Sequence, residues 1–98
     1  MRRVELHPQA YAELDQAISW YENQTRGLGD ALLDEVEHAI SVIQESPDRW
    51  PVYIGETRSF LVHRFPFAIV YRHDDVKIQV LAIAHLRRRP GYWRDRKF

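Results

Sequence analysis

The sequence predicts a single α+β domain of order β-α-α-β-β-β, a helical hairpin packed on a small antiparallel sheet. Three observations carry this. Two segments of the first half repeat apolar residues at helical spacing, three segments of the second half are short and strand-like, and 98 residues leave room for only one core. A chain of this length buries roughly 60–65% of the surface its unfolded form exposes, so nearly every large apolar side chain is needed in that core. The expected domain therefore spans residues 1–98.

Taken in order, Arg2 to Leu6 is available as an edge strand that would complete a four-stranded sheet under the helices. Tyr11, Leu14, Ile18 and Tyr21 recur at i, i+3, i+7 and i+10, and Leu33, Val36, Ile40 and Ile43 repeat that spacing, which sets each group on one helical stripe in need of burial. Pro8 suits a first helical turn, where its missing N–H would be unpaired anyway, Gly27 and Gly29 break the chain between the helices, and Pro47 stops the second. The connection Asn23 to Gly29 is short enough to make the helices antiparallel, with Glu13, Asp15, Glu22, Asp34, Glu35 and Glu37 mostly outward as a solvated face. Asp48 to Gly55 has proline, glycine and rings without a period, so it reads as a loop whose Trp50 plugs the core edge. Strands are expected over Arg58 to Arg64, Phe67 to His73 and Val76 to Ala84. The last, apolar on both faces apart from Lys77 and Gln79, reads as central. Phe65-Pro66 and Asp74-Asp75 are turn-like, which makes these three an antiparallel meander.

With 45% hydrophobic and 29% charged residues, the composition is that of an ordinary globular protein. No cysteine is present, which excludes disulfides, thiolate chemistry and zinc-thiolate sites. The start Met1-Arg2-Arg3-Val4-Glu5-Leu6-His7-Pro8 has no apolar leader, and no window approaches the roughly 18 apolar residues of a membrane span, so a cytoplasmic protein with no membrane partner is expected. Net charge is zero, but residues 1–48 hold ten Asp/Glu against three Lys/Arg, net −7, and residues 49–98 hold four against eleven, net +7. A basic second half suits an anionic partner, either nucleic acid or an acidic protein segment.

Conventional catalytic motifs are missing: there is no Gly-rich phosphate loop, no Gly-x-Ser-x-Gly elbow and no His pair at the spacing of a helical metal site. His63, His73 and His85 read as structural strand-end residues, so no metal and no cofactor are expected. What remains is a cationic constellation. Arg58, Arg64 and Arg72 lie on or beside strands, while Arg87, Arg88, Arg89, Arg94, Arg96 and Lys97 crowd the C-terminus around Tyr92 and Trp93. Guanidinium forks grip phosphates or carboxylates, and rings stack on bases or fill a partner's pockets. Two fates stay open for Tyr92 and Trp93, contact with a target or folding back on the core.

Arg58 after the loop, Phe65-Pro66-Phe67-Ala68-Ile69-Val70-Tyr71, and Val80-Leu81-Ala82-Ile83-Ala84-His85 running into Arg87-Arg88-Arg89-Pro90-Gly91-Tyr92-Trp93 form an ordered set of segments. Together they resemble the RelE/ParE superfamily of toxins from type II toxin-antitoxin systems, in its ParE-like, plasmid-stabilisation branch. The spacing around Ala10 to Leu14, Gly27-Leu28-Gly29 and the Ser46-Pro47 stop are also similar, so the resemblance covers nearly the whole chain. It implies a toxin neutralised by a cognate acidic antitoxin, with operator DNA bound only through the antitoxin. ParE-like members bind DNA gyrase, whereas RelE-like members cleave mRNA on the ribosome and typically carry an arginine where this chain has Ala68. The target-binding set expected here is Arg58, Arg87, Arg88, Arg89, Tyr92 and Trp93, acting on gyrase. The alternatives are a ribosome-dependent endoribonuclease using Arg64, His85, Arg87 and Tyr92, and a non-toxic basic RNA-binding module.

Overall fold

The computed structural model describes all 98 residues, in the order β1 (Arg3–Leu6), α1 (Pro8–Gln24), α2 (Leu28–Glu45), β2 (Arg58–Leu61), β3 (Phe67–His73) and β4 (Lys77–His85). The sheet order is β1-β4-β3-β2, so β4 and β3 are the inner strands. The meander β2, β3, β4 is antiparallel, as the turn residues predict, while β1 joins β4 in parallel and makes the sheet mixed. Val76 falls outside β4 because the Asp74 carboxylate accepts from the backbone N–H groups of Val76 at 2.8 Å and Lys77 at 2.9 Å, closing the hairpin. Those two bonds hold the Asp74 carboxyl below the usual carboxylate range.

Both helices lie on one face of the sheet, and the main core runs from Leu14, Leu32, Val36 and Ile43 to Ile69, Tyr71, Ile78 and Ile83. The buried side of α1 is Ala10, Leu14 and Ala17, a stripe rotated from the expected one, and Tyr11 is 64% exposed. The alanines have no bulk to hold α1 away from the sheet, so Tyr21 and Ile18 pack at its margin instead. In α2 the same rotation buries Leu32, Val36, Ala39 and Ile43 and leaves Leu33 and Ile40 half-buried. Where the helices meet, a Cβ on Gly29 would stand 2.7 Å from the Ile18 carbonyl oxygen, so only glycine fits. Glu22 is exposed, as expected, and has a further role: its carboxylate accepts from the backbone N–H of Gly27 at 2.9 Å and Gly29 at 3.0 Å, capping the start of α2.

The apolar character of β4 on both faces has a local cause. Tyr71 pairs with Val80 and Val70 with Ala82, so Leu81 is an extra residue, and this bulge resets the alternation of the strand. Val80 and Ile83 both belong to the helix-side core, while Leu81, Ala82 and Ala84 form a second cluster with Val70 and Trp93. The chain after β4 folds back over this second face. At the other end, the Tyr71 hydroxyl donates to the Pro47 carbonyl at 2.7 Å, and burial pushes its pKa up to about 12. Trp50 packs its ring edge on Phe60, 4.6 Å between centroids, at the margin of the core.

Candidate functional site

A single carboxylate from α1 organises the C-terminal segment. Beyond Val80, β4 has no β1 partner, because the register ends at Leu6 opposite Val80. Side chains take the place of the missing strand. Glu13 accepts the Ile83 backbone N–H at 3.0 Å, and the Arg96 guanidinium donates to the Leu81 carbonyl at 2.9 Å. The same Glu13 carboxylate accepts two bonds from Arg96, both 2.9 Å, and one from the Tyr92 hydroxyl at 2.6 Å. The Glu13 and Arg96 side chains are only 15% and 11% exposed, so the pair is largely desolvated and sits in charge-assisted hydrogen bonds. Burial first, and then the bond to Glu13, push the Tyr92 pKa far above the usual phenol range; the bond to Glu13 raises that of Arg96. Glu13, read from sequence as outward, is thus the clasp of this region.

The turn that follows β4 is fixed by its own histidine. His85 Nδ1 accepts the Arg87 backbone N–H at 3.0 Å, the Arg88 N–H reaches the His85 carbonyl at 2.9 Å, and the imidazole edge rests on Phe67, 5.2 Å between centroids. Arg88 lays its guanidinium 3.9 Å from the centroid of the Tyr92 ring, a stacked cation held at the surface. Two grooves flank this ridge. One of about 370 Å³ lies between α1 and the C-terminal segment and is lined by Trp20, Tyr21 and Phe67 among others. The other, about 320 Å³, lies on the face of the sheet away from the helices, over Ala68, Val70 and Ala84, with Tyr53 and Leu61 at its sides. His85, Arg88 and Tyr92 line both.

The sequence-predicted site residues divide by position. Arg87, Arg88, Arg89 and Tyr92 share one end of the sheet, with the three arginines exposed. Arg64, in the β2–β3 turn, lies at that same end, because the Leu86 N–H bonds the Pro66 carbonyl at 3.0 Å and ties the two turns together. Arg58 is elsewhere, at the start of β2, where its guanidinium donates to the carbonyls of Asp48, at 3.3 Å, and Trp50; it holds the loop down and is not free for a target. Trp93 is 3% exposed and packs in the second cluster, so its ring anchors the segment from beneath instead of standing on the surface as expected. Of the four residues proposed for a ribonuclease, Tyr92 has its phenol bound by Glu13 and His85 has Nδ1 occupied by Arg87.

Three residues of the region were missed from sequence: Glu13, Trp20 and Arg96. The signal for the first two was present, since Ala10, Glu13, Ala17 and Trp20 recur at i, i+3, i+7 and i+10, a row that shares Ala10 and Ala17 with the buried stripe. Arg96 carried no distinguishing signal among its basic neighbours. No three His, Cys, Asp or Glu side chains are grouped to hold a metal ion, and no helix is long and apolar enough to cross a membrane.

Comparison with known proteins adds the family. A family model described as the ParE toxin of the type II toxin-antitoxin system parDE matches residues 4–90. No curated protein matches the chain. Among solved structures, a chain of the chromosomal ParDE toxin-antitoxin system from P. aeruginosa is similar at a TM-score of 0.77 and 19% identity, covering 88% of this chain and 97% of that one. At that identity the likeness concerns the fold.

Proposed function

From membership in the ParE family of type II toxin-antitoxin toxins, to which the chain belongs by the match over residues 4–90, we propose that it acts by binding and inhibiting DNA gyrase in the cytoplasm, and that a cognate acidic antitoxin neutralises it. The observation that supports binding over chemistry is the state of Tyr92. A phenol that donates to a carboxylate at 2.6 Å, with its pKa far above the ordinary range, is a poor general base and is not free to reach a 2′-hydroxyl. The position in β3 where ribonuclease members are expected to hold an arginine is Ala68, buried in the sheet. Arg87, Arg88 and Arg89, preorganised by the His85 turn and by stacking on Tyr92, are the target-facing side chains in this reading. Trp93 anchors that segment from below, while Arg58 ties down the Asp48–Trp50 loop away from it. The antitoxin's place is the groove beside α1, where Trp20 is 58% exposed over an apolar floor. Recognition of operator DNA belongs to the antitoxin.

The decisive experiment pairs two assays on the purified chain. Inhibition of gyrase supercoiling, with a translation extract left active, is the expected result. Cleavage of mRNA within translated codons, seen only when ribosomes are present, overturns it in favour of the ribonuclease alternative.

A further inference from the structure

The end of the sheet where the β2–β3 turn meets the chain after β4 gathers four exposed arginines, Arg64, Arg87, Arg88 and Arg89. The bond from the Leu86 N–H to the Pro66 carbonyl, 3.0 Å, makes one surface of the two turns. None of the four is compensated. Every contact within 4.0 Å between a basic and an acidic side chain lies elsewhere, at Arg3–Glu5, Arg58–Asp48, His73–Asp48 and Arg96–Glu13. Glu13, the carboxylate in the adjoining groove, is spent on Arg96, Tyr92 and the Ile83 N–H. A protein of net charge zero thus carries a locally unneutralised cationic end.

Two further features bear on what covers it. Arg64 has φ 76, a left-handed conformation that glycine adopts freely and an arginine does not, so the position retains the side chain against a backbone preference. Arg88, in the turn after β4, is held over the Tyr92 ring, 3.9 Å from its centroid. The four cations are all guanidinium groups, whose planar forks match phosphate oxygens in pairs. Trp20, 58% exposed on the wall of the groove that Arg88 and Tyr92 also line, offers a free indole face beside them. Cationic forks next to an exposed ring suit a phosphodiester backbone with bases to stack, in a groove that the antitoxin would compete for.

We infer that this end of the molecule binds the phosphodiester backbone of a nucleic-acid strand, with Arg64, Arg87, Arg88 and Arg89 on phosphates and Trp20 beneath a base. The contact is independent of sequence, so it leaves operator recognition to the antitoxin. It draws on the same exposed arginines as the proposed target contact and is tested on the isolated chain, apart from any enzyme. Supercoiling inhibition by a chain that binds no nucleic acid leaves the toxin reading intact and removes this one.

The test is fluorescence anisotropy of the full chain with labelled single-stranded RNA, single-stranded DNA and duplex DNA of one sequence and length. Binding of at least one strand type is expected, weakening steeply with salt, and the preferred arm identifies the source of the phosphates. Arg64→Gln and Arg88→Gln should each lower the affinity severalfold and reduce the slope of log K against log salt by about 1. Trp20→Ala should weaken the single-stranded arms more than the duplex arm, and Arg49→Gln, an exposed arginine outside this surface, should change nothing. No binding in any arm at micromolar protein and low salt overturns the inference. Equal losses for Arg49→Gln and Arg88→Gln do the same, as does displacement by a polyglutamate peptide at a concentration matching the oligonucleotide's own.

Discussion

Trp93 is 3% exposed and lies against Val70, Leu81, Ala82 and Ala84, and its indole N–H is buried with no acceptor. An unpaired buried donor carries a cost, so what keeps the ring in place is its apolar area. Trp93→Ala should therefore lower the unfolding free energy by about 3–5 kcal/mol in a urea titration, as deletion of a buried aromatic does. Trp93→Phe, which keeps most of the area and removes the orphan N–H, should cost less than about 1.5 kcal/mol. Arg89→Ala, at an exposed position, should stay within about 0.5 kcal/mol. An unchanged midpoint for Trp93→Ala would mean that the ring does not hold the C-terminal segment. The sequence leaves two fates open for Trp93 because its partners are created by the Leu81 bulge, which turns Leu81 and Ala82 to the same face and has no sequence pattern of its own. Glu13 was hidden for a related reason: its four donors come from residues 70 to 83 positions away, too far for local spacing to reveal.

At the scale of elements, the helices were legible because a 3.6-residue period runs through both, and β3 and β4 because their apolar runs end in turn residues. The direction of β1 was not, since a four-residue strand pairs either way and only the path through α1 and α2 sets it parallel to β4. The rotation of both stripes follows from small residues, which the apolar pattern underweights: Ala10, Ala17, Gly29 and Ala39 occupy the closest approaches. Gly29 gives the sharpest test of that packing. Alanine in a helix interior is ordinarily better than glycine by roughly 1 kcal/mol. Here the added Cβ would meet the Ile18 carbonyl oxygen at 2.7 Å, a backbone atom that cannot swing aside. Gly29→Ala should thus destabilise the protein by about 1–3 kcal/mol in thermal or urea unfolding. A gain in stability would show that the helices are not in close contact at that point.

Over the whole molecule, the two charged halves of the sequence become separate surfaces. The acidic residues cover the outer sides of the helices, apart from Glu13 and Glu22, which are engaged within the fold, and the arginines gather past β4. On the proposed function, an acidic antitoxin segment would be repelled by the first surface and drawn to the second, and the groove where α1 meets the C-terminal segment would accommodate both its charge and its apolar side. A segment that orders as it enters this groove buries apolar area and loses chain entropy together, which gives a distinctly negative heat-capacity change on binding. Trp20 is the large exposed ring at that position, and rings of this kind contribute ~2 kcal/mol or more at the centre of an interface. Trp20→Ala should then weaken antitoxin binding by about 30-fold in a calorimetric titration. Its melting temperature should stay close to that of the parent, because the side chain is 58% exposed in the free protein. An antitoxin that binds Trp20→Ala as tightly as the parent chain would place its docking surface away from this groove, and a titration without heat at micromolar concentrations would remove the neutralising partner itself.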